Sequence, residues 1–165
     1  MSRMIAMLMA DAQTQEAMRS WAIRSGFDID DGNPFHVTLL ATVNEIDAPN
    51  GSTSIKPVSV DAVGFEALGA NGEVPVIRVD GDGALQIGRE FFVRLYGAEP
   101  TFAEFKPHVS ITYDWNGSFP VLDQLSLPEF PLSFDRLVVE PFDAGEQKSL
   151  VPRRSAYTGA HLLYR

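Results

Sequence analysis

Two stretches of this chain repeat one another 72 positions apart (36 to 108). They are Asn33-Pro34-Phe35-His36-Val37-Thr38-Leu39-Leu40 and Phe105-Lys106-Pro107-His108-Val109-Ser110-Ile111-Thr112. Each follows a helical pattern and a polar loop, passes through a proline, and then carries His-Val-[Ser/Thr] within an apolar run. In a β-strand, residues i and i+2 leave the same face. The spacing therefore predicts that His36 and Thr38 emerge together while Val37 and Leu39 point into the core. His108 and Ser110 emerge likewise over Val109 and Ile111. The two halves thus echo one another, each offering a helix, a polar loop, a proline and a motif strand.

The remaining pattern fills in around those units. Residues 3–10 read as a buried first strand; the apolar run is too short, and lacks a cleavage site, for a secretory signal. Asp11 is an N-cap for a helix over 13–24, with Ala17, Met18, Trp21 and Ala22 at helical spacing and an end near Gly26. A strand over 35–43 follows, and the Gly/Ser/Pro-rich 44–57 reads as an exposed loop. Residues 58–68 and 75–79 read as a hairpin turning at Ala70-Asn71-Gly72. A second helix starts at Asp82, includes Leu85, Phe91, Phe92, Leu95 and Tyr96, and stops at Gly97. Strands over 108–113, 134–140 and 157–164 complete the chain. No break in composition divides residues 1–165, which read as one domain.

Composition narrows the chemistry. The chain has 165 residues, 45% of them hydrophobic and 21% charged, as expected of a folded globular protein. No run approaches the roughly 20 apolar residues of a membrane span. The absence of cysteine removes disulfides, thiolate nucleophiles and Cys-ligated zinc, and fits a cytoplasmic location. With only three histidines, His36, His108 and His161, a His-based metal centre has poor support, and no cofactor is expected. The formal net charge of −9 argues against gripping long nucleic acids, whose affinity comes from neutralised phosphates. A phosphate-bearing partner should then be small, with positive charge local to the site.

The paired motifs suit phosphodiester cleavage. One group must take a proton from the nucleophile and another must protonate the leaving oxygen. Histidine, which ordinarily titrates near pH 6.5, does either around neutral pH. Hydroxyls aimed at the non-bridging oxygens stabilise the charge gathering there. A lone H-x-[ST] tripeptide carries almost no information. Two copies, each after a proline and together using two of three histidines, point to His36, Thr38, His108 and Ser110 as catalytic.

These motifs resemble the 2H phosphoesterases, whose hallmark is a pair of H-x-[ST]-x motifs. The stretch Phe105-Lys106-Pro107-His108-Val109-Ser110-Ile111-Thr112-Tyr113 is similar to that family's second motif. The resemblance implies an α+β fold of two pseudo-symmetric α/β lobes, with mainly antiparallel sheets around a central groove. It implies one motif per lobe and a metal-independent mechanism in which His36 and His108 are acid and base and Thr38 and Ser110 bind phosphate. The text from Lys106 to Trp115, and Val138-Val139-Glu140-Pro141, most resembles the phage branch. That branch cleaves cyclic oligonucleotide messengers and so counters bacterial cyclic-nucleotide (CBASS) immunity. The alternatives are an RNA 2′,3′-cyclic phosphodiesterase of the RNA-ligase-linked type and a non-catalytic nucleotide-binding sponge.

Three further residues are candidates for substrate binding. Lys106 could offer charge to a phosphate or simply be a solvated loop lysine. Trp115 could stack on a base, and Glu140 could read a base edge or ribose or be a plain surface carboxylate. Tyr113 counts to the same face as Val109 and Ile111 and reads as core, as do Phe35 and Phe65. His161, with no hydroxyl two residues on, reads as structural.

Overall fold

The computed structural model describes residues 1–30, 32–80 and 83–142. The first strand, β1 (Met4–Ala10), gives way to the first helix, α1 (Ala12–Arg24), at Asp11. The Asp11 carboxylate accepts from the Thr14 amide at 2.7 Å, satisfying one of the helix's orphan donors. Thr14, Met18, Trp21 and Ala22 are buried, a spacing of i, i+4, i+7 and i+8 that lays one stripe of α1 on the sheet. The chain then runs through β2 (His36–Ala41), β3 (Gly51–Leu68), β4 (Val74–Asp80), α2 (Ala84–Tyr96), β5 (His108–Ser110) and β6 (Leu132–Pro141). A single turn of 3₁₀ helix at Leu122–Gln124 precedes β6.

The six strands pair antiparallel in the order β1-β2-β5-β4-β3-β6 and close into a barrel. The α+β class with a mainly antiparallel sheet is thus the observed one. Pleating sorts the side chains onto two faces. Val37, Ile77, Val109 and Phe134 join Met18, Trp21, Leu85 and Phe92 in one cluster under the helices, where Trp21 stacks on Phe65 at 5.9 Å. On the opposite face lies a smaller cluster with Ile5, Met7, Ala41 and Val76. Burying each such large apolar side chain is worth roughly 1.5–3 kcal/mol. No helix among the described residues is long and apolar enough to cross a membrane.

Several expectations need correction. The segment 44–57 is not all loop: β3 begins at Gly51, and residues 51–54 pair with Arg136–Val139 of β6. Pro57 falls in a bulge between Ser54 and Val58, where the ladder needs no donor from it. The strand predicted over 108–113 stops at Ser110. Alternation no longer applies beyond that point, so Tyr113 is buried in the Ile5–Met7 cluster and not with Val109 and Ile111. In α2, Leu85 and Phe92 are buried but Phe91 and Leu95 are exposed, because the helix presents only a narrow stripe to the sheet. That helix begins at Ala84 after Gly83 and ends at Tyr96, capped by Gly97, which takes φ 65°. Asp82, His161 and the strand expected over 157–164 lie outside the described residues.

Candidate functional site

β2 and β5 meet at one backbone pair, Val37 opposite Val109. Antiparallel register around that pair puts His36 beside Ser110 and Thr38 beside His108. Each histidine therefore neighbours the hydroxyl of the other motif, at the roughly 4.5–5.5 Å Cβ spacing of directly opposed residues. The two histidines are diagonal neighbours, about 7–8 Å apart at the backbone. All four side chains leave the face opposite the helix-covered cluster, as Val37 and Val109 on the alternate positions require. His36 is buried at 4% exposure, Ser110 is buried, and Thr38 and His108 are half-buried.

Both imidazoles are held in the same way. His36 Nδ1 lies 2.9 Å from the Pro34 carbonyl, and His108 Nδ1 lies 2.7 Å from the Lys106 carbonyl. A carbonyl oxygen only accepts, so Nδ1 carries a proton in each ring, and Nε2 is the nitrogen that gains or loses one. In both cases the acceptor is two residues back, in the segment containing the proline.

Each helix braces one of these segments. Gln15 of α1 donates to the Phe35 carbonyl at 2.8 Å and accepts from the Phe35 amide at 2.7 Å, which fixes the residue before His36. Arg89 of α2 is buried and donates to the carbonyls of Leu39, Phe102 and Ala103. Its guanidinium also sits 4.9 Å from the Phe105 ring centroid, which braces the chain leading to His108. Burial lowers the pKa of this guanidinium from its ordinary value.

One neighbour escaped the sequence reading. Arg78 of β4 pairs with His108, and Val76 with Ser110, so an exposed guanidinium shares the histidine's face. A faint signal existed: Arg78 is a lone charge amid the apolar residues of Val74-Pro75-Val76-Ile77-Arg78-Val79. Arg136 of β6 pairs with Met9, itself the partner of His36, and donates to the Ser52 hydroxyl at 3.0 Å. Positive charge thus gathers near the histidines despite the acidic net charge, with Glu66 opposite Val76 as a nearby counter-charge.

The other candidates separate. Lys106 is exposed and, with Thr38 and His108, lines a cavity of about 360 Å³. Glu140 pairs with Ile5 of β1, on the histidines' face but further along the strand than Met7. Trp115 is half-buried against the main core, donates to the Phe119 carbonyl at 3.1 Å, and lines a different recess of about 230 Å³. None of the four motif residues borders that recess. Among the described residues, no group of three or more His, Cys, Asp or Glu is placed to hold a metal ion.

No protein-family model matches the chain, and no curated protein matches it.

Proposed function

We propose that the chain is a phosphodiesterase that cleaves small cyclic oligonucleotides by acid–base catalysis, with His36 and His108 as the proton-transferring pair. One observation carries the reading. The two histidines sit diagonally across a strand pair, each with Nδ1 tied to a carbonyl two residues back. In this reading the two Nε2 atoms face one bound phosphate, with Thr38 and Ser110 interleaved between the histidines. A phosphodiester placed there meets a base on one side and an acid on the other. Thr38 and Ser110 hydroxyls and the Arg78 guanidinium contact its non-bridging oxygens and stabilise the charge that accumulates on them. In this reading the site is a groove between two related halves, each contributing one helix and one motif strand.

The nucleophile is the ribose 2′-oxygen already held beside the phosphorus. One Nε2 removes its proton, the 2′-oxygen bonds to phosphorus, and the P–O5′ bond breaks. The other histidine, protonated at Nε2, gives its proton to the departing 5′-oxygen. The products are a 2′,3′-cyclic phosphate end and a 5′-hydroxyl end, with no co-reactant consumed. Proximity supplies a large part of the acceleration. A compact ring suits a protein of net charge −9, whose surface repels a long polyanion. The biological role proposed with it is removal of a cyclic messenger, as in phage evasion of cyclic-nucleotide immunity, in a cytoplasmic setting.

The test is incubation with cyclic di- and trinucleotides and 2′,3′-cyclic mononucleotides, followed by chromatography. Ring opening that is lost in the 2′-deoxy counterpart is the expected result. Cleavage of 2′,3′-cyclic mononucleotides alone moves the protein to RNA-end processing. Binding without turnover makes it a sponge.

A further inference from the structure

The two histidines are held alike, yet their surroundings differ. The cavity of about 360 Å³ opens onto Thr38 and His108, whereas the recess bordering Ser110, between Asp30 and Tyr113, holds only about 10 Å³. We propose that the larger cavity is a nucleoside pocket. One nucleoside of the substrate is bound there, and recognition of the base is one-sided. This inference rests on the phosphodiester chemistry proposed above.

Three observations carry it. The first is position: Thr38 and His108 themselves line the cavity, so a phosphate held by them lies at its wall, with the cavity open to one of its ester substituents. The second is the lining. Leu40, Ala41 and Leu68 form apolar wall, and Phe105 adds an aromatic ring. At the rim stand Glu104, which can only accept hydrogen bonds from a base, and Lys106, which can only donate. Its volume is at the low end of the roughly 300–1,000 Å³ usual for small-molecule sites, suited to a single nucleoside. The third is rigidity. Thr101 donates through both its amide and its hydroxyl to the Ala41 carbonyl, at 2.8 and 2.9 Å. Arg89 ties down Phe102 and Ala103 from below. The pocket is therefore built before a ligand arrives, which lowers the ordering cost of binding.

The experiment fills the pocket and asks whether the base still matters. Ala103→Trp places a large ring at an exposed lining position, and Leu68→Trp does so at a second lining position on β3. Thermal melts first establish that each variant is folded. Cleavage of a 3′,5′-linked ring is then compared with cleavage of 2-hydroxypropyl p-nitrophenyl phosphate, which has the neighbouring hydroxyl but no base. Wild type should prefer the ring, and each folded variant should lose at least tenfold of that preference, chiefly through a raised KM. Wild-type preference retained in both variants overturns the pocket while leaving the phosphodiesterase reading in place. Should wild type cleave neither ester, that reading falls, and the pocket is decided by calorimetry with adenosine and guanosine 3′-monophosphates. Binding by wild type that weakens tenfold in the filled variants upholds it. Equal or absent binding ends it.

Discussion

Arg78 and His108 stand opposite one another on adjacent strands, so the guanidinium and the imidazole leave the sheet on the same face. That cation is exposed at a position whose strand neighbours Ile77 and Val79 are buried. For the proposed reaction it supplies charge to the phosphoryl oxygens. Arg78→Ala should lower kcat/KM by about 10²-fold, the scale of removing one preorganised donor. Arg78→Lys should recover part of the loss, since lysine keeps the charge but not the fork. Steady-state kinetics of the two variants would settle the matter, and near wild-type values in both sink the role.

His36→Ala and His108→Ala should each reduce kcat by about 10²- to 10⁴-fold without unfolding the protein. The wild-type pH–rate profile should be bell-shaped, and each single substitution should abolish one limb. Thr38→Ala and Ser110→Ala should be milder, at about 10- to 10³-fold. A profile that keeps both limbs in either histidine variant rules out the acid–base pairing.

Gln15 tests whether bracing from the helix matters to chemistry. Removing both bonds to Phe35 by Gln15→Ala should cost about 1–2 kcal/mol of stability, near 1 kcal/mol per hydrogen bond. It should also depress kcat, because the segment presenting His36 loosens. Gln15→Glu keeps an acceptor for the Phe35 amide but has no donor for its carbonyl, and should fall between. Urea melts paired with kcat measurements check both arms; a stability loss with unchanged kcat confines Gln15 to folding.

Activity should survive exhaustive treatment with EDTA, since among the described residues no group of three or more His, Cys, Asp or Glu is placed to hold Mg²⁺ or Zn²⁺. Loss on chelation with recovery on adding a divalent ion would overturn the mechanism.

Asp11 links stability to pH. The Thr14 amide, bonded to its carboxylate, lowers the Asp11 pKa below the ordinary value against a smaller opposing effect of burial. A lowered folded-state pKa gives stability that is fully present above the unfolded-state value, about 3.9, and is lost as pH falls through the folded one. Asp11→Ala should thus destabilise by about 0.5–2 kcal/mol at pH 7. In urea titrations the gap to wild type should narrow at pH 3, and a gap that widens contradicts the assignment.

What the sequence disclosed, and what it withheld, follows from the range of each interaction. The faces of His36, Thr38, His108 and Ser110 depend on alternation within a few residues, and so does the Asp11 cap; these were legible. That Arg78 faces His108 depends on the register between β4 and β5, 30 positions apart in the chain (78 to 108), which no local pattern encodes. The same holds for residues 51–54, whose polar and Gly-rich text reads as loop until β6 pairs with them. Tyr113 misled because alternation was counted past Ser110, where the strand ends.

The seam beneath the histidines has its own consequence. β2 and β5 share one backbone pair, whereas β1 and β2 share five and β4 and β5 share three. Local opening free energies within a protein range from near zero to the global value, and sparsely bonded junctions open first. His36 and His108 therefore straddle the place where the barrel parts most readily. A ligand gripped by both His36 and His108 would stitch that junction, slowing amide hydrogen exchange along β2 and β5 far more than in β3 or β6. Occupancy of the site would then be legible in the backbone itself.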